Sequence, residues 1–222
     1  MSSQYCERVG TGLFAEPFNA VSNLAFLVAS AALLVLLVRQ RRPAPPSVWL
    51  LPVLLGVVGL CSLAFHTLAT PVTSALDTLS ILVFVLVGVV VVVHWMWAVR
   101  WRLAWLGAPA FLVFAVGLDA ALFALGGARL TVGGYLPALL GLVGIGLAVR
   151  LTAVDDARRY GTWLLWAGVV FAVSLTARTV DRPLCGHFPT GTHFIWHVLN
   201  AIVLFLVGHA VLSRWRERGI AA

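Results

Sequence analysis

Leu79-Ser80-Ile81-Leu82-Val83-Phe84-Val85-Leu86-Val87-Gly88-Val89-Val90-Val91-Val92-Val93 runs fifteen residues without a charge. It is the middle of an apolar run at 72–97, and a helix needs about 20 apolar residues to cross a bilayer core. Six further runs of this kind lie at 19–39, 48–69, 103–125, 132–151, 160–180 and 192–213. The pattern predicts an all-α membrane protein, a bundle of seven transmembrane helices. Proline and glycine punctuate the gaps: Arg41-Arg42-Pro43 with Pro45-Pro46, then Thr70-Pro71, then Gly126-Gly127. There is no internal repeat and no low-complexity linker, so residues 1–222 read as a single domain.

Composition says the same. Of 222 residues 61% are hydrophobic and 10% charged, with mean hydropathy +1.01. A soluble domain carries about 25% charged residues, so this chain has too few charges to coat a surface in water. The net charge of +7 does not mark a nucleic-acid binder. Every basic residue is an arginine, and most sit in short clusters between the apolar runs, as in cytoplasmic membrane loops. The first residues are polar and no short apolar run ends at a small-residue cleavage site, so no cleavable signal peptide is expected. No protein partner is legible.

The arginines set an orientation. Eleven lie in the gaps after the first, third, fifth and seventh runs, against four on the other side: Arg8, Arg129, Arg178 and Arg182. Positive charge stays cytoplasmic, so the N-terminus is expected outside and the C-terminus in the cytoplasm. The exclusive use of arginine, with much Ala and Val, points to a GC-rich bacterial genome and thus to the cell membrane. Cys6 and Cys185 then fall on the outer side, where an oxidising compartment permits a disulfide. Spacing does not pair them, and two free thiols remain the alternative. Cys61, inside an apolar run, reads as a small buried residue.

Ionisable groups inside a membrane are costly unless paired or hydrated, so each is a functional suspect. His66 lies near the outer end of the second run, with Ser62 one turn deeper on the same face. Asp77 lies roughly 8 Å down the third run at 1.5 Å per residue. His193 and His197, four residues apart, share a face at the outer start of the seventh run. Three histidines, a serine and an aspartate from three helices thus reach a similar depth. Catalytic zinc takes three protein ligands and an open water position, which suits this set. The plainer alternative is interfacial or hydrogen-bonding histidines, with Asp77 satisfying a polar neighbour. His94 and His209, towards the cytoplasmic side, read as structural, and His187 as solvated. Asn19, Ser22 and Asn23 read as capping or interhelical hydrogen-bonding residues. Asp119 is left open between lining a cavity and pairing with an outer arginine. Trp95, Trp97, Trp101, Trp105 and Trp215 read mainly as interface anchors.

These residues carry a family resemblance. Tyr5-Cys6-Glu7, followed by Ala15-Glu16-Pro17-Phe18-Asn19-Ala20-Val21-Ser22-Asn23, resembles the start of alkaline ceramidases. Gly59-Leu60-Cys61-Ser62-Leu63-Ala64-Phe65-His66 looks like that family's serine-to-histidine motif, and Asp77 follows eleven residues later. His193-Phe194-Ile195-Trp196-His197 looks like its final histidine pair, and Asp181 and Cys185 resemble its aspartate and cysteine after the sixth helix. Each motif is short, but their joint order and spacing run from near residue 5 to near residue 200.

The resemblance implies a seven-helix zinc amidohydrolase of the superfamily that also holds adiponectin receptors. It implies zinc on His66, His193 and His197, with Ser62 and Asp77 as catalytic groups beside the metal, and a disulfide between Cys6 and Cys185. It implies a calcium site near the outer surface, where the match is incomplete. Gln4 stands where the family usually has an aspartate and the following loop is shorter, leaving Glu7 and Glu16 as candidate ligands with the Tyr5 carbonyl. The expected function is hydrolysis of ceramide or a related N-acyl lipid to a fatty acid and a sphingoid base, a step of sphingolipid metabolism. A receptor of the same architecture, with a structural zinc and little turnover, is the alternative. A transporter is disfavoured, because transporters gather such groups at the bilayer midplane on broken helices.

Overall fold

The computed structural model describes residues 5–10, 12–41, 43–127, 132–153 and 155–218. Gln4, Arg42 and Arg129, used in the sequence reading, lie outside them. The described residues form helices and no strand: α1 (Pro17–Ser22), α2 (Leu24–Val38), α3 (Pro46–Leu68), α4 (Pro71–Trp97), α5 (Trp101–Ala104), α6 (Gly107–Gly126), α7 (Leu136–Thr152), α8 (Arg158–Leu184) and α9 (His193–Arg218). Asn23 keeps helical angles between α1 and α2, so the two act as one span. Six helical stretches are long and apolar enough to cross a membrane: Pro17–Val38, α3, α4, Trp101–Gly126, α8 and α9. The remaining apolar helix, α7, has 17 residues, the lower limit for a span. It starts later than the apolar run suggests because Gly133 and Gly134 adopt left-handed angles in a 3₁₀ turn, φ +65° and +79°.

Local chemistry sets the helix ends that matter most. Ala69, in the left-handed region at φ 48°, stops α3. Thr70 then caps α4 in a reciprocal box with Thr73, and Pro71 occupies the first turn, where a missing N–H costs nothing. Two residues therefore reverse the chain and set the end of α3 beside the start of α4.

Between helices in lipid, close van der Waals packing and small residues hold the bundle, since lipid tails are as apolar as leucine. α9 is the central helix, packed on α8, α2, α3 and α4 and buried at intervals from His193 to Trp215. α7 and α8 meet through Gly161, where a Cβ would lie 2.7 Å from both the Arg150 Cα and the Gly146 carbonyl oxygen. Ser30 of α2 donates a hydrogen bond to the Pro52 carbonyl inside α3 at 2.7 Å. α6 lies at the rim, with none of its residues buried, against α4 and α7. Trp95 and Trp215, read as interface anchors, are instead core residues, whereas Trp101 and Trp105 are exposed. Cys61 is half-buried rather than buried.

Candidate metal centre

One end of the bundle gathers the N-terminal segment, the end of α3, the start of α4 and the start of α9. His66 (α3), His193 and His197 (α9) are 1%, 2% and 1% exposed, and one ligand atom from each lies within 4.8 Å of the others. The ring centroids are 4.6 Å apart for His66–His197 and His193–His197 and 5.2 Å for His66–His193. Among the described residues this is the one cluster of three such side chains able to hold a metal ion.

Hydrogen bonds fix two of the rings. His66 Nδ1 lies 2.5 Å from Glu16 Oε2. A carboxylate only accepts, so Nδ1 carries the proton and Nε2 keeps its lone pair. That Nε2 is buried with no hydrogen-bond partner among the described residues. The Ser22 hydroxyl donates to the Asn19 carbonyl at 2.9 Å, so its oxygen accepts from His197 Nδ1 at 2.7 Å, again leaving Nε2 unprotonated. Metal-binding histidines characteristically donate their second ring N–H in this way, which fixes tautomer and orientation. His193 is held differently: the Tyr5 ring stacks on it, centroids 3.7 Å apart, and its Nδ1 is buried with no hydrogen-bond partner among the described residues. Orphaned imidazole nitrogens facing a common point fit a metal ion, because a buried polar atom with no partner costs about 1–3 kcal/mol.

Asp77 and Ser62 complete the chamber. Asp77 is half-buried, with Oδ1 unpartnered among the described residues, and the Ser62 hydroxyl lies beside its carboxylate. Arg178 of α8 lies over the Tyr135 and Trp196 rings, 4.6 Å and 5.7 Å from their centroids.

Asp181 organises the start of α9. Its carboxylate, 1% exposed, accepts from the backbone N–H of Cys6 (3.0 Å), Thr192 (2.7 Å) and His193 (2.9 Å). Gly191, at φ +66°, lets the chain pass so close that a Cβ there would collide with Asp181. Cys6 and Cys185 are joined by a disulfide with Cα atoms 5.3 Å apart, which ties the N-terminal segment to the loop before α9. The free-thiol alternative is thereby set aside.

The two carboxylates named for calcium are engaged by protein donors. Glu7 accepts from the Phe18 N–H (2.6 Å) and Asn19 N–H (2.8 Å), closing the start of α1. Glu16 is paired with Arg8 and bonded to His66 and to Asn19 Nδ2 at 3.1 Å. Burial raises the Glu16 pKa, but hydrogen bonds from His66, Arg8 and Asn19 outweigh it and hold the carboxyl below its ordinary value. Calcium takes six to eight oxygen ligands, and this donor set does not fit it.

The family model for Ceramidase matches residues 2–218. The chain belongs to the ceramidase family. No curated protein matches it. The family name denotes hydrolysis of ceramide, and the match takes in the whole centre, from Tyr5 to His197.

The sequence reading missed the supporting groups. Ser22, read as a capping or interhelical residue, holds His197; Glu16, read for calcium, holds His66; Tyr5, read for its carbonyl, supplies a ring. A signal existed: Glu16, Asn19, Ser22 and Asn23 form a polar stripe at helical spacing on the first span. His94 and His209 lie elsewhere. His94 bonds to the Val99 carbonyl at 2.7 Å and stacks on Trp101, and His209 stacks on Trp163. His187 is exposed. Asp119 is half-buried, with Oδ1 unpartnered among the described residues.

An apolar cavity opens between α4, α6, α7, α8 and α9. Phe84, Gly88, Phe111 and Leu164 line it, and Tyr135 and Asn200, the latter three residues beyond His197, line it as well.

Proposed function

We propose that this chain is a membrane-embedded, zinc-dependent amidohydrolase that cleaves the N-acyl amide of ceramide or a related lipid to a fatty acid and a sphingoid base. The observation that carries the reading is the convergence of three buried imidazoles beside an aspartate with a free oxygen, two of the rings having their second nitrogen fixed. His66, His193 and His197 would hold zinc, whose catalytic sites use three protein ligands and an open position. When bound, zinc polarises a carbonyl and brings the pKa of water to about 7.

The remaining work falls to side chains. Asp77 takes a proton from the attacking water at its free oxygen and delivers it to the amide nitrogen as the C–N bond breaks. One water is consumed: its hydroxyl goes to the acyl carbon and its proton to the leaving amine. The Ser62 hydroxyl lies beside the Asp77 carboxylate in the resting state and would aim it at the water. Once Asp77 is protonated, the same hydroxyl is released to donate to the oxyanion that develops on the carbonyl. Loss of one such donor costs about 10²–10³ in rate. The apolar cavity beside Asn200 has the lining of a lipid-chain site, since ligand pockets are lined mainly by apolar and aromatic side chains.

The arginine distribution and the odd number of apolar runs support seven spans, with the N-terminus outside and the centre just beneath the extracytoplasmic face of a bacterial cell membrane. The test is purified protein in lipid nanodiscs, incubated with N-acylsphingosine and followed by mass spectrometry of released fatty acid. The reading expects release that vanishes in His197→Ala. Stoichiometric zinc with no release from any N-acyl lipid would favour the receptor alternative.

A further inference from the structure

We propose that Arg8 is the built-in cation of this site: a positioning residue that holds Glu16 against His66, at the place where a calcium ion was expected. The inference rests on the proposed zinc site for one of its readouts.

The geometry is a relay. Arg8 Nε pairs with Glu16 Oε1, and Arg8 Nη2 donates to the His66 carbonyl at 3.1 Å. Glu16 Oε2 accepts from His66 Nδ1. One guanidinium therefore grips both ends of the same ligand residue, its backbone carbonyl directly and its ring through Glu16. The His66 carbonyl lies in the last turn of α3, where carbonyls lack helical partners and positive charge is favoured. Glu16 is 3% exposed and Arg8 14%, so the pair is shielded from solvent and a lost partner is not replaced cheaply by water.

The same contacts leave no room for a divalent ion. Both Glu16 oxygens have donors, both Glu7 oxygens cap α1, and a second cation would sit beside a guanidinium. Arg8 is also delivered by anchored chain. It lies two residues after Cys6, which is bonded to Cys185 and to Asp181, and three after Tyr5, which covers His193. The short N-terminal segment thus touches two of the three histidines with its own side chains.

The experiment compares wild type, R8K and R8A in detergent. Zinc affinity is measured by competition with a chromophoric chelator, and calcium chloride is titrated into zinc-loaded wild type by calorimetry. The expected results are no calcium binding by wild type, and zinc binding roughly 10–100-fold weaker in R8A, the range for loss of a group supporting a metal ligand. R8K should fall between, because an ammonium keeps the charge but not the planar fork that spans Glu16 and the carbonyl. Folded R8A or R8K with unchanged zinc affinity overturns the proposal. So does stoichiometric calcium binding by wild type, an arm that stands even if R8A does not fold. Failure of wild type itself to bind zinc would instead refute the metal reading.

Discussion

Glu16 and Ser22 hold different histidines of the proposed zinc site with bonds of different strength, and that difference is measurable. Glu16 accepts from His66 as a paired, buried carboxylate, and Ser22 accepts from His197 as a neutral hydroxyl. A hydrogen bond to a charged group contributes about 1.5–3 kcal/mol and a neutral one about 0.5–1.5 kcal/mol. At 1.4 kcal/mol per tenfold, Glu16→Ala should weaken zinc binding by roughly 10- to 150-fold, and Ser22→Ala by only about 2- to 12-fold. The assay is competition against a chelator of known zinc affinity, on protein whose helicity and melting have been checked. The double variant Arg8→Ala/Glu16→Ala controls for the guanidinium left without its anion. It should lose no more affinity than Glu16→Ala, because both changes break one relay. An inverted order, with Ser22→Ala the more damaging, would refute the tautomer argument. So would full zinc affinity in both single variants.

Asp77→Asn should keep zinc while kcat falls by about 10²–10⁴, the usual worth of a general base; single-turnover assays on zinc-loaded protein check this. Replacing Cys6 and Cys185 together by serine opens a closure of sequence separation 179. It should lower stability by about 2–5 kcal/mol, read as a drop in Tm. Gly161→Leu should prevent the close α7–α8 crossing and give poorly folded protein, visible as aggregation on size-exclusion chromatography, whereas Gly144→Leu, where a side chain meets open space, should not. Gly88→Phe, at the lining of the apolar cavity, should lower turnover of long-chain N-acyl lipids more than of short-chain ones.

Much of the fold was legible because membrane helices announce themselves by uninterrupted apolar length, as residues 79–93 do. Boundaries were less so. The seventh run ends at 213 where apolarity ends, yet α9 continues to Arg218, with Glu217 paired to Arg159 of α8 and Arg214 buried against the Trp95 carbonyl. Side chains that turn polar do not by themselves end a helix. The three clustered histidines were legible from one intrahelical spacing, His193 to His197, and from matched depth for His66. Their supports were not, since His66–Glu16 spans 50 residues and His197–Ser22 spans 175. Only packing brings such pairs together. Resemblance suggested calcium because Glu7 and Glu16 remain in place, but Arg8 answers the Glu16 charge from within the chain.

Zinc-edge X-ray absorption on purified wild type and His66→Ala tests the centre most directly. The account predicts one zinc per chain, with three imidazole nitrogens at about 2.0–2.1 Å, and loss of that signal in the variant. A wild type without zinc, or a His66→Ala protein whose zinc environment is unchanged, would contradict it.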